Sequence, residues 1–131
     1  MEEITEKYRN LYIQAKQMLK NAYVPYSGFP VGAALLVKGE DKVFTGVNVE
    51  NASFGATICA ERTACTAAVA AGFREFEAIA TVSGRGAAPM CGICRQFLAE
   101  FSPEMDVITG NDEDHLEVRK LSEMLPEQFK L

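Results

Sequence analysis

The sequence predicts an α/β fold of three layers, α/β/α, with a mixed β-sheet between helices on its two faces. Three observations predict it. An opening segment carries apolar residues at helical spacing, an apolar hairpin follows, and strand-length and helix-length segments then alternate. Residues 2–22 read as an amphipathic helix, because Ile4, Tyr8, Leu11, Ala15, Met18 and Ala22 recur at three- and four-residue steps. Val24-Pro25-Tyr26-Ser27-Gly28-Phe29-Pro30 breaks that pattern, since two prolines and a glycine cannot continue a helix. Residues 31–37 form a nearly unbroken apolar run of strand length, as expected of a strand buried on both faces. Gly39-Glu40-Asp41 reads as a turn and residues 42–49 as the second strand of a hairpin. An alanine-rich helix is expected over 57–71, with Thr57 as its N-cap and Gly72 as its stop. Residues 76–83 read as a third strand, 91–101 as a helix, 105–109 as a short strand and 117–125 as a terminal helix before Pro126. No repeat or linker divides the 131 residues, so residues 1–131 are expected to form one domain.

Composition narrows the function. With 48% apolar and 24% charged residues, the chain has the make-up of a folded soluble domain and lacks the signature of disorder. A net charge of −5 and the acidic run Asp112-Glu113-Asp114 leave no basic track for a phosphate backbone. The expected partner is a small ligand, with neither nucleic acid nor membrane. The opening residues Met1-Glu2-Glu3-Ile4-Thr5-Glu6-Lys7 are polar and acidic, unlike a secretory signal, so the expected location is the cytoplasm.

The four cysteines carry the chemistry: Cys59, Cys65, Cys91 and Cys94. In a reducing compartment such thiols serve as metal ligands, nucleophiles or small buried hydrophobes. Cys91-Gly92-Ile93-Cys94 is a C-x-x-C pair opening one predicted helix, and Cys59 lies near the start of another. Helix starts present free N–H groups and a positive dipole end, which favour thiolate. Three such thiolates can hold one Zn²⁺ and leave its fourth position open, the arrangement of a catalytic site. Glu61, two residues after Cys59, is placed to serve as a general base and then acid. Three thiolates leave the centre with a net negative charge, so Arg62 and Arg95 are candidates to donate hydrogen bonds to the sulfurs. Cys65 is six positions past Cys59, more than a helical turn away, and reads as a core hydrophobe; His115 reads as a solvated loop residue. A thiol–disulfide motif and a non-catalytic zinc module stay open as alternatives at this point.

Five segments in one register resemble the cytidine deaminase family, in its small homotetrameric form. They are Tyr26-Ser27-Gly28-Phe29-Pro30-Val31-Gly32-Ala33, Gly46-Val47-Asn48-Val49-Glu50-Asn51-Ala52, Cys59-Ala60-Glu61-Arg62, Cys91-Gly92-Ile93-Cys94-Arg95-Gln96, and Leu125-Pro126 followed by Phe129. The resemblance implies a sheet of about five strands and one zinc per chain on Cys59, Cys91 and Cys94. It implies hydrolysis of cytidine and 2′-deoxycytidine to the uridine nucleosides and ammonia, a step of pyrimidine salvage, with Glu61 moving the protons. Asn48 and Glu50 would hold the ribose hydroxyls, Phe29 would pack beside the nucleoside, and the Ala60 N–H would bind the pyrimidine carbonyl. Phe129 would close over the base from a neighbouring subunit. Relatives acting on antibiotic nucleosides such as blasticidin S look different around the segment that here reads Asn48-Val49-Glu50-Asn51. One departure stands out: Met90 occupies the position before Cys91 where the family usually has proline. Proline there would fix φ and restrict its neighbour, and methionine does neither.

Overall fold

The computed structural model describes residues 2–131, with side chains from residue 6 onward. Ile4 of the expected apolar face lies outside the described side chains. Helix α1 spans Glu2–Gln17 and tightens into a 3₁₀ turn over Met18–Asn21. Strands β1 (Val31–Val37) and β2 (Val43–Val47) form the expected hairpin. Helix α2 (Ala60–Ala70), strand β3 (Phe76–Ser83), helix α3 (Gly92–Ala99) and strand β4 (Asp106–Gly110) alternate as anticipated. Strand β5 (Leu116–Lys120) and the single-turn helix α4 (Leu121–Met124) complete the order.

The sheet order is β2-β1-β3-β4-β5. Only β3 and β4 pair in parallel; the remaining pairs are antiparallel. The parallel pair follows from its connection, because α3 carries the chain back across the sheet before β4 begins. Each face has its own core. On one face Tyr8, Leu11, Tyr12 and Ala15 of α1 pack on Ala34, Ala78, Ala80 and Ile108. The alanines leave room for the two tyrosine rings. Their hydroxyls stay satisfied by reaching β4: Tyr12 donates to the Gly110 carbonyl (2.9 Å) and Tyr8 to Asp106 Oδ2 (2.5 Å). On the other face α2 and α3 bury Ala64, Cys65, Ala68, Cys94 and Leu98 against Leu35, Ile79 and Val107.

Two glycines are needed for this packing. Gly46 on β2 sits beneath the first turn of α2, where an added Cβ would lie 2.5 Å from both the Ala60 carbonyl oxygen and the Ala64 nitrogen. Gly72 ends α2 at φ +101°, the left-handed region that favours glycine. The Phe73 N–H then bonds back to Ala68 (3.1 Å) and the Gly72 N–H to Val69 (3.0 Å), capping the last free carbonyls.

The structure departs from the sequence expectation at two elements. The segment expected as a helix over 117–125 is divided: its first residues belong to β5, and only Leu121–Met124 are helical. Helix α2 begins at Ala60 with Cys59 as N-cap, and the Thr57 hydroxyl instead accepts the Asn51 N–H at 3.2 Å.

Candidate active site

The site lies where the start of β1, the end of β3 and the first turns of α2 and α3 meet. Val31 pairs with Ser83, which brings the segment before β1 beside the loop after β3. Cys59 and Cys91 are the N-caps of α2 and α3. Both take extended backbone conformations, and neither side chain caps its own helix. The sulfurs turn toward each other instead. Cys59 Sγ lies 3.7 Å from Cys91 Sγ, Cys91 Sγ lies 3.4 Å from Cys94 Sγ, and all three fall within 4.8 Å of one another.

Those separations fit a zinc ion. Tetrahedral coordination with Zn–S bonds of about 2.3 Å places sulfurs about 3.8 Å apart, so the 3.7 Å and 3.4 Å separations need only a few tenths of an ångström of adjustment to take the ion. Three soft donors at two helix N-termini match zinc in chemistry as well as in spacing. Cys65, by contrast, is wholly buried in the α2 core, and burial pushes its thiol up to about 11. The Cys59 thiol is lowered to about 5, by the hydrogen bond from Cys94 first and by Arg62 beside it. Cys94 moves the opposite way because it donates that hydrogen bond and is itself buried.

Glu61, on the first turn of α2, is 5% exposed, and burial is the main cause that raises its carboxyl to about 7. Arg62 Nη2 reaches Cys59 Sγ at 3.7 Å, the contact expected from the charge argument. Arg95 goes elsewhere. Its Nε donates to the Met90 carbonyl and its Nη1 to the Met124 carbonyl, both at 2.8 Å. It braces the segment before Cys91 against the end of α4. Met90 is 1% exposed and belongs to the core, so the side chain at the usual proline position fills space that proline could not.

A cavity of about 410 Å³ opens beside the cluster, lined in part by Phe29, Asn48, Glu50, Ala60, Glu61 and Pro89. That volume suits a drug- or nucleoside-sized ligand. The Asn48 side chain bridges the cavity wall: Nδ2 donates to the Phe29 carbonyl and Oδ1 accepts the Val31 N–H, both at 2.9 Å. Glu50 accepts the Tyr26 N–H at 2.9 Å, the Ser27 N–H at 3.1 Å and the Ser27 hydroxyl. The Ser27 hydroxyl, together with these backbone bonds, holds the Glu50 carboxyl below its ordinary value. Ser27 escaped the sequence reading as a site residue, although it stands within a quoted motif. Phe129 is 69% exposed, clasped by the Gln96 amide through its own N–H (3.4 Å) and carbonyl (3.0 Å), and is not among the residues lining this cavity.

This arrangement is a cluster of three cysteine thiols able to hold a metal ion, with a buried carboxyl at its side, open to a cavity of ligand size. The sequence model of the cytidine and deoxycytidylate deaminase zinc-binding region matches residues 5–110. The chain is 47% identical over 118 residues to the cytidine deaminase of Halalkalibacterium halodurans, covering 88% of this chain and 89% of that one. It is 42% identical over 121 residues to the cytidine deaminase of Sporosarcina psychrophila, covering 91% and 88%. The cytidine deaminase structure from Burkholderia pseudomallei superposes with a TM-score of 0.85 at 44% identity, covering 92% of this chain and 97% of that one. The Mycobacterium tuberculosis cytidine deaminase structure gives 0.84 at 39% identity, covering 95% and 98%. The chain belongs to the cytidine deaminase family of hydrolytic enzymes.

Proposed function

We propose that the 131-residue chain acts as one catalytic domain that hydrolyses cytidine and 2′-deoxycytidine to uridine and 2′-deoxyuridine, releasing ammonia. The observation that carries this reading is the buried Glu61 beside three convergent thiols at the wall of a nucleoside-sized cavity. Cys59, Cys91 and Cys94 would hold one zinc, which supplies Lewis acidity that eases deprotonation of water. Glu61 takes the proton from the attacking water, delivers it to N3 of the cytosine ring, and assists departure of the amino group as ammonia. Its burial keeps bulk water from competing for that proton, a role worth roughly 10²–10⁴-fold in rate. The Arg62 guanidinium at Cys59 offsets the excess negative charge of three thiolates. Arg95 supports the same centre at one remove, by fixing the Met90 carbonyl ahead of Cys91.

Phe29 walls the base, and the Ala60 N–H at the start of α2 meets the pyrimidine carbonyl. Glu50, already ordered by Ser27, accepts from a ribose hydroxyl, and the second Nδ2 hydrogen of Asn48 donates to one. A nucleoside lacking that hydroxyl would leave those groups unsatisfied, which favours an ordinary ribose or deoxyribose. The family resemblance points to a homotetramer in which Phe129 of one copy closes over the site of another, and the exposed apolar side chains Tyr23, Tyr26, Phe54, Ile58 and Ile93 support self-association. Four free thiols suit a reducing cytoplasm, where the reaction would return pyrimidine nucleosides to use by salvage. Glu61→Gln tests the reading: bound zinc should persist while the fall in ultraviolet absorbance on adding cytidine disappears. Retained deamination would remove the assigned proton carrier.

A further inference from the structure

Phe29 forms part of the cavity wall, and its backbone is clamped on both sides. Its N–H donates to Ser27 Oγ at 3.0 Å, and its carbonyl accepts from Asn48 Nδ2 at 2.9 Å. Neither bond fixes the rotation of the ring. The guanidinium of Arg85 lies over that ring, with Cζ 5.3 Å from the centroid. Arg85 is not itself among the residues that line the cavity. Among the described residues its charge meets no carboxylate within salt-bridge distance, so the ring face is the partner the structure gives it.

The loop carrying Arg85 is held at both ends. The Gly84 N–H donates to the Pro30 carbonyl at 2.9 Å, next to Phe29 itself. Ser83 Oγ accepts the Arg85 N–H at 3.1 Å and donates to the Gly86 carbonyl at 2.7 Å. Gly86 turns at φ +95°, and the Ala87 N–H bonds to Asn111 Oδ1 at 3.1 Å. The same loop then supplies Ala88 and Pro89 to the cavity. A tethered turn of this kind presents a cation at a fixed place over an aromatic ring.

We propose that Arg85 is a positioning residue that holds the Phe29 ring as a wall of the nucleoside cavity through a cation–π contact, without touching the substrate. The proposal rests on Phe29 facing the nucleoside, as in the function proposed above. Exposed contacts of this type change affinity by about two- to fivefold. The effect falls on binding, because the ring stands apart from the atoms that exchange protons.

The test measures kcat and KM for cytidine and for cytidine 5′-phosphate, and the dissociation constant of uridine, for the zinc-loaded wild type, Arg85→Gln, Arg85→Lys, Phe29→Leu and the Phe29→Leu/Arg85→Gln pair. Arg85→Gln should raise KM and the uridine constant by about two- to fivefold with kcat unchanged, and Arg85→Lys should recover most of the loss. In the Phe29→Leu background the second change should add nothing, since the ring it acts through is gone. Equal losses in both backgrounds, or a lysine variant as weak as the glutamine one, would overturn the proposal. So would an Arg85→Gln effect confined to cytidine 5′-phosphate, which would make Arg85 an anion contact. A wild type that leaves cytidine unchanged would instead remove the functional reading, an outcome separate from an active enzyme indifferent to position 85.

Discussion

Gly46→Ala isolates what holds the two halves of the thiol cluster together. Gly46 stands on β2, opposite Ala33 of β1, directly under the first turn of α2. A methyl group there would lie 2.5 Å from the Ala60 carbonyl oxygen and the Ala64 nitrogen, where ordinary contact begins at 3.4 Å. The difference, 3.4 − 2.5 = 0.9 Å, must come from backbone, because no flexible side chain stands in the way. The start of α2 therefore lifts off the sheet and carries Cys59, Ala60 and Glu61 with it. Overpacking of this kind costs about 1–3 kcal/mol. Displacing catalytic groups by ~1 Å can cost about 10²-fold in rate. Cys91 and Cys94 ride on α3 and stay in place, so the cluster opens between Cys59 and the other two. Urea unfolding of the metal-free protein reads the first effect, and zinc affinity with kcat on cytidine reads the second. A variant with unchanged midpoint, zinc affinity and kcat would refute the claim that glycine is needed for this approach.

Two further outcomes follow from residues outside the cluster. Cys65→Ala should leave zinc content and kcat unchanged, because that thiol is buried in the core of α2 and absent from the group of three; loss of metal in elemental analysis would reassign it. The imidazole of His115 should titrate above its ordinary 6.5 because Asp112 accepts from Nδ1 at 2.8 Å, with Asp114 adding a smaller effect. The contribution of the pair is complete below the unfolded histidine pKa and is lost as pH rises through the folded one. At the acid end it is lost as pH falls through the folded pKa of Asp112, which lies below 3.8. His115 is the one histidine of the chain, so its NMR titration is unambiguous, and Asp112→Asn should bring its pKa down.

The three clustered cysteines and Glu61 were legible because each is tied to a local signal. Cys91 and Cys94 sit in one C-x-x-C element, and Cys59 and Glu61 share one turn. Their convergence depends on tertiary packing that no spacing reports, and only the resemblance to a family supplied it. The hairpin and the buried strands were legible through unbroken apolar runs. Strand β5 was not, because its alternation over Leu116-Glu117-Val118-Arg119 is only four residues long, and Val118, Leu121 and Leu125 also fall at helical spacing. The exposed edge of β4 decides the matter, since pairing from Asp106–Lys120 to Gly110–Leu116 satisfies backbone groups that a helix would leave open. Which of Arg62 and Arg95 would reach a sulfur was open for a related reason. Sequence proximity to Cys94 suggested a sulfur contact for Arg95, yet the helix points its guanidinium to the carbonyls of Met90 and Met124.

The N-caps of α2 and α3 show what the thiol cluster costs the fold. An N-cap side chain ordinarily accepts a hydrogen bond from the N–H groups of the first turn, and Ser, Thr, Asp or Asn there is worth about 0.5–2 kcal/mol over alanine. Cys59 and Cys91 occupy those positions with extended backbones and make no such bond, because both sulfurs are committed to the cluster. Neither N-cap side chain draws on the first-turn N–H groups, and the positive end of each helix faces the sulfurs. Stability is thus exchanged for a thiolate site at two places. Cys91→Ser separates the two quantities. Position 91 is exposed, so a hydroxyl costs little in desolvation, and its oxygen can take the vacant cap. In the presence of a chelator this variant should unfold at higher urea than the wild type, by an amount equivalent to about 1 kcal/mol. In the presence of zinc the order should reverse, because the wild type gains binding energy that two remaining thiols cannot supply. Lower stability of the variant under both conditions would show that Cys91 already supports α3 without metal, and that no such exchange takes place.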